Sequence, residues 1–330
     1  MTSPMEAKLK QEIQSSPSLF PFDLSPDGQL VHFVRLTEED YRLASFMDQR
    51  MLAEAAKGGR SFHSGNVSWD LLLPWTRELH VRCDFIFHVS HAGSTMLSRM
   101  LGEHPQCFAV REPWILRSLV DPTASNYLRD FLALWSRTYR PTQRAIIKAT
   151  SFVSQIGTEL LQLANDSKAI LMFVPAETFL ASVLDGSMSD IDASAKSRLD
   201  RLHRNPSMRH VSLAHLSTGE RAAMCWRVEM ESLKTIQRTF PNRTQFLDFD
   251  LFLLEPESHL RNVSQFLGMK GHESSMLTSP FTKRYAKKIE VPYDTDFRYK
   301  LLEQSKMKHA EEIAKGIRWI EAIDRKPIAS

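Results

Sequence analysis

The chain has 330 residues, 42% of them hydrophobic and 25% charged, and a formal net charge of only +3. That composition excludes an intrinsically disordered chain and suits one large α/β domain or two modest ones. So small a charge over this length also excludes a non-specific nucleic-acid binder. The three cysteines, Cys83, Cys107 and Cys225, are odd in number and widely spaced, with no CxxC. This speaks against a disulfide framework or a zinc cluster and for a reducing, cytoplasmic setting.

Residues 1–28 read as polar and irregular, with Pro17, Pro21 and Pro26 as breakers and no apolar segment of the kind a signal peptide needs. Residues 30–36 (LVHFVRL) predict a strand. Thr37, followed by three acids, predicts a helix start, and the helix is expected to run to about residue 56, where Lys57-Gly58-Gly59 stops it. Residues 66–77 read as loop and short helix. Residues 83–89 (CDFIFHV) form a short apolar run of the kind that makes a buried parallel strand. A tight polar turn follows at 90–95 (SHAGST), and then Met96, Leu97, Met100 and Leu101 recur on one helical face until Gly102 and Pro105 close it.

Further along, strands are expected at 108–110, 145–148, 168–174 and 244–249. Helices are expected at 127–139, 151–165, 176–184, 219–240, 257–267 and 299–319. The longest apolar run, 169–175, is far short of the roughly 20 residues of a membrane span. Strands alternating with helices predict an α/β fold with a mostly parallel central sheet and helices on both faces; the loop at 90–95 makes it one of the P-loop nucleotide-binding type. The expected organisation is an N-terminal extension, 1–80, packing on a core at 81–330 that ends in a helical tail.

The strand, small-residue turn and helix over 83–101 predict a phosphate-binding loop. A helix N-terminus offers unpaired amides and a positive dipole end, and small residues let the backbone approach an anion. Ser90, His91, Ala92, Gly93, Ser94, Thr95 and Met96 are the candidate contacts. The pattern is not Walker A, because Ser94 rather than Lys follows Gly93. Nor is it a nucleophile elbow, because Ala92 stands where the first Gly of GxSxG belongs.

FHVSHAGSTMLSRML (87–101), followed by Glu112-Pro113, resembles the opening of the sulfotransferase family, and DFDLFLLEPESHLRNVSQFLGM (248–269) resembles that family's late segment. Trp226 also stands on the preceding long helix where such a helix often carries a Trp. The likeness spans residues 83–269 and is that of a divergent, bacterial-type member. It implies 3′-phosphoadenosine-5′-phosphosulfate (PAPS) as co-substrate, a small-molecule or carbohydrate acceptor, and no metal. It places loop 90–95 on the 5′-phosphate, with His91 where the family usually has Lys or Arg. Lys148 matches a strand-end Lys near the donor. Ser182 matches the Ser of the 3′-phosphate motif, but Val174-Pro175 stands where that motif's Arg belongs. Either Lys283, Arg284 or Lys287 replaces this Arg, or the donor is not PAPS. Thr150 occupies the place of a catalytic His used by some members, whereas Glu112 stands where others place a carboxylate base.

Two other readings stay open. One is a P-loop kinase or nucleotide hydrolase, with Asp248 as a strand-end magnesium ligand. The other is a non-catalytic nucleotide-binding protein with this fold. His88 and His91 form an HxxH, but on a strand and turn they do not share a face suited to a metal.

Overall fold

The five apolar runs that read as buried strands assemble into one sheet. The computed structural model describes residues 3–123, 125–280, 284–285, 288–292 and 295–324, the side chains of 125, 284–285 and 288–292 excepted. In chain order, helix α1 (Pro4–Ser15) leads to strands β1 (Leu19–Leu24) and β2 (Leu30–Arg35), and helices α2 (Glu38–Leu43) and α3 (Gln49–Lys57) precede β3 (Ser64–Ser68) and α4 (Trp69–Arg77). The main sheet then begins with β4 (Cys83–His88), α5 (Ser94–Gly102) and β5 (Cys107–Arg111). It continues through α6 (Ile115–Ser118), α7 (Leu128–Trp135), β6 (Arg144–Lys148), α8 (Gly157–Leu163), β7 (Ala169–Phe173) and α9 (Ala176–Leu184). Helices α10 (Met188–Lys196), α11 (Leu199–His203) and α12 (Thr218–Thr239) lead to β8 (Thr244–Asp248), α13 (Phe249–Leu254), α14 (Pro256–Leu267) and α15 (Glu273–Thr278). A short pair, β9 (Arg284–Tyr285) and β10 (Lys288–Pro292), precedes α16 (Thr295–Lys308) and α17 (Ala310–Asp324).

The strand order is β5-β6-β4-β7-β8, and every pairing is parallel. The expected α/β class and parallel central sheet are therefore borne out. Parallel strands are covered on both faces, so β4 is buried along its whole length and reads as an unbroken apolar run. Helix α5 packs against β4 and β5, and α12 against β4 and β8. From β4 the chain moves outward to β5 and β6, then crosses to β7 on the other side of β4. Such a reversal leaves a crevice at the carboxyl ends of the strands, where open α/β sheets bind ligands.

The strand at 30–36 does not join this sheet. It is the centre of a separate antiparallel sheet, β1-β2-β3. Residues 3–28 are not irregular either: Ser3 and Glu6 form a reciprocal capping box that starts α1, and Pro21 sits at a bulge on edge strand β1. The single helix expected to 56 is two, α2 and α3. Arg111 breaks it by donating from one guanidinium nitrogen to the carbonyls of Tyr41 and Ala44, each at 2.7 Å, and Asp48 caps the new helix.

Helix α7 stops at Trp135, short of 139, and Arg137 turns inward onto the carbonyls of Ile13 and Leu19. The helix expected from 151 begins as a 3₁₀ segment, Ser151–Ile156, before α8. The terminal helix is likewise two, joined at His309. Helices α10 and α11 had no sequence expectation. No helix among the described residues is long and apolar enough to cross a membrane.

Candidate active site

Loop 90–95 leaves the buried end of β4 and opens α5. Ser90, His91 and Gly93 all have positive φ, at 74°, 50° and 67°. Two consecutive non-glycine residues in this region store strain of the kind that collects at ligand clamps. Gly93 is required on a second count, because a Cβ there would sit 2.1 Å from the ring of Phe249. His88 holds the loop from below. Its Nδ1 accepts from the Ser90 amide at 3.0 Å, and its Nε2 lies 2.9 Å from the Ala149 carbonyl. An amide only donates and a carbonyl only accepts, so the ring is neutral with its proton on Nε2. Burial, reinforced by the charge of Lys148, pushes the pKa of His88 well below 6.5.

The loop forms one wall of a cleft of about 340 Å³. The opposite wall comes from the ends of β5 and β6. Their register pairs Arg111 with Lys148, so Glu112 leaves the sheet beside Lys148. The Glu112 amide donates to the Lys148 carbonyl at 2.7 Å, and Glu112 itself takes a left-handed φ of 51°. The Lys148 ammonium is 1% exposed and forms an ion pair with Glu112 Oε1. Burial lowers the pKa of Lys148, and Glu112 opposes that shift. Breaking one partner from such a buried pair is costly unless another anion takes the place of the carboxylate. Arg50 approaches the other carboxylate oxygen at 3.7 Å, is held by Asp48, and lies 3.6 Å over the ring of Phe46.

The sequence places Ser90 through Met96, Glu112, Lys148 and Ser182 in one site, and all line this cleft. Ser182 sits on α9 and donates to the Thr178 carbonyl at 2.9 Å. Lys148 is not a solvent-facing strand end, and Glu112 is not paired with Arg111. Trp226 donates from its indole to the Val174 carbonyl at 3.0 Å and so fixes the chain where β7 turns into α9. The candidates Lys283 and Lys287, and the side chains of Arg284 and Lys288, lie outside the described residues.

Among the lining groups that sequence reasoning missed are Phe46, Arg50 and Arg298. Phe46 and Arg50 come from the N-terminal segment. Arg298 comes from α16: it is buried, paired with Asp250 at 2.7 Å, and lies 4.9 Å over the Phe249 ring. Asp250 also accepts from the Thr178 hydroxyl at 2.8 Å, which ties Arg298 to the helix that carries Ser182. None of these residues belongs to a local motif; only the tertiary fold brings them in. The described residues contain no cluster of metal-ligating side chains.

No family model and no curated protein matches the chain. Solved structures do, and those it resembles include several sulfotransferases. The sulfotransferase domain from the curacin biosynthetic pathway is 14% identical over 74% of this chain and 98% of that one, with a TM-score of 0.44. The sulfotransferase domain of the Synechococcus PCC 7002 olefin synthase is 17% identical over 74% and 94%, at 0.42. A sulfotransferase from Mycobacterium avium is 11% identical over 94% and 96%, at 0.40. At these values no residue role carries across, and the chemistry of the cleft follows from its own side chains.

Proposed function

We propose that the cleft transfers a sulfuryl group from PAPS to an acceptor hydroxyl or amine. The observation that carries this reading is the convergence, in one cleft, of a left-handed small-residue loop at a helix start, a buried lysine–carboxylate pair and a second cationic corner. The first suits the 5′-phosphate, through the amides of Ser90–Met96 and the ring of His91. The last suits a separate phosphate, with Ser182 and Arg298 as its contacts. Arg298 stands in for the arginine missing after β7.

In the proposed reaction the acceptor oxygen or nitrogen attacks sulfur, and the bond from sulfur to the bridging oxygen breaks. The electron pair leaves with the 5′-phosphate of adenosine 3′,5′-bisphosphate. The incoming phosphosulfate takes Lys148 from Glu112, and Lys148 then meets the charge that develops on the bridging oxygen. Glu112, freed of its partner, takes the acceptor proton. The residues before 80 form an extension whose part in this site is the wall made by Phe46 and Arg50.

The test is release of adenosine 3′,5′-bisphosphate from PAPS in the presence of phenols, alcohols and amines. Glu112→Gln is expected to slow release by about 100-fold or more, the usual worth of a general base, while bisphosphate affinity stays near that of the parent chain. Turnover that survives the substitution removes Glu112 from the base role. A kinase or hydrolase would instead consume a nucleoside triphosphate in this assay's magnesium-containing control.

A further inference from the structure

Beyond the reactive pair, the chain builds a second cationic face that the donor does not need. Helix α6 follows Glu112-Pro113, with Trp114 in helical conformation as its N-cap. Trp114 and Arg117, three residues apart, share one face of it. The Arg117 guanidinium lies 5.5 Å from the Trp114 ring centroid and 5.5 Å from that of Phe152. Trp114 is 39% exposed, unusual for so large an apolar side chain. The neighbouring arginines are held by carboxylates: Arg50 by Asp48 and Glu112, and Arg198 by Glu229 at 2.7 Å. Arg117 makes no ion pair among the described residues. Desolvation and the charge of Arg198 lower its pKa, while the more distant carboxylates of Glu112 and Asp48 oppose that shift.

We infer that Trp114, Arg117 and Phe152 form the acceptor subsite, and that the acceptor carries an anionic group besides the nucleophile that Glu112 deprotonates. This rests on the sulfuryl-transfer reading above. A planar guanidinium lying against two rings can present its edge as a fork to a carboxylate, sulfonate or phosphate. The rings offer contact to an apolar or aromatic body. Glu112, two residues before Trp114 in the chain, lines the cleft together with Phe46 and Arg50. Arg117 is thus a specificity-determining residue that binds substrate without touching the reacting atoms.

The test is calorimetric, on the full chain, with and without saturating adenosine 3′,5′-bisphosphate. The probes are 4-hydroxybenzoate, 4-hydroxybenzenesulfonate and phenol. The two anions are expected to bind about tenfold or more tighter than phenol, as for a charge-assisted pair, and their ratio reports which anion fits better. Arg117→Gln is expected to bring all three to the same affinity while bisphosphate binding stays unchanged, which shows the fold intact. Equal affinity in the parent chain, binding of none of the probes, or an anion preference that survives Arg117→Gln overturns the inference. If bisphosphate itself does not bind, the donor reading fails, while the anion preference is still read on the ligand-free protein.

Discussion

The candidate site depends on single groups that have no freedom to be otherwise. His88 shows this most clearly. It is buried under loop 90–95 and uses both ring nitrogens to hold Ser90 and Ala149 in register. Its folded pKa lies well below 6.5. Above about pH 6.5 the ring is neutral in both the folded and the unfolded chain, and stability is complete. As the pH falls below that value, the unfolded chain binds a proton that the folded chain refuses, and stability declines by at most about 1.4 kcal/mol per pH unit. Urea midpoints of the parent chain should therefore fall more steeply between pH 7 and pH 5 than those of His88→Gln, whose amide keeps one donor and one acceptor. Parallel slopes would remove His88 from this role.

At this scale the sequence was informative about the loop and silent about its support. Ser90–Thr95 was legible because small residues between an apolar run and a helical face leave a local signature. The pairing of Lys148 with Glu112 was not, because it depends on the register of β5 against β6.

At the scale of elements, the tail is positioned by a close crossing of α12 and α17. A Cβ on Gly219 would meet the Glu312 carbonyl oxygen at 1.9 Å, and one on Gly316 would meet the Gly219 carbonyl at 2.7 Å. The Gly219 amide also donates to the Glu312 carboxylate at 2.6 Å. Only glycine lets the two backbones approach so nearly. Gly219→Ala should cost about 1–3 kcal/mol of stability by overpacking. Because α17 continues from α16, the same change should also weaken bisphosphate binding by displacing Arg298. Thermal melts and titrations on the one variant check both; a loss of stability with unchanged affinity would separate the tail from the site.

The elements themselves were legible where burial writes a period into the sequence. The run 83–89 is apolar because β4 is covered on both faces, and 219–240 keeps one apolar face against the sheet. The break between α2 and α3 left no such mark. It is imposed by Arg111, more than sixty residues downstream, whose side chain takes carbonyls that the helix would otherwise use.

For the whole molecule, the N-terminal segment and the tail meet at the cleft from opposite ends of the chain. Arg137 ties the first elements to the main sheet side by donating to the carbonyls of Ile13, Ser16 and Leu19, and Tyr139 donates to that of Leu36 at 2.8 Å. Burial lowers the pKa of Arg137 to about 10. These bonds place Phe46 and Arg50 beside Glu112, while α16 brings Arg298 into the same cleft. Neither contribution could be read from a linear motif, since the residues involved lie more than 200 positions apart and share no spacing.

The central claim is that the cleft reads two separated phosphates on one nucleoside. Titration calorimetry of the full chain with adenosine 3′,5′-bisphosphate, against ADP, tests it most directly. Charge-assisted contacts from Ser182 and Arg298 to a 3′-phosphate predict that the bisphosphate binds about tenfold or more tighter than ADP. Equal affinities, or tighter binding of ADP, would contradict the account and move the kinase and binding-protein readings ahead of it.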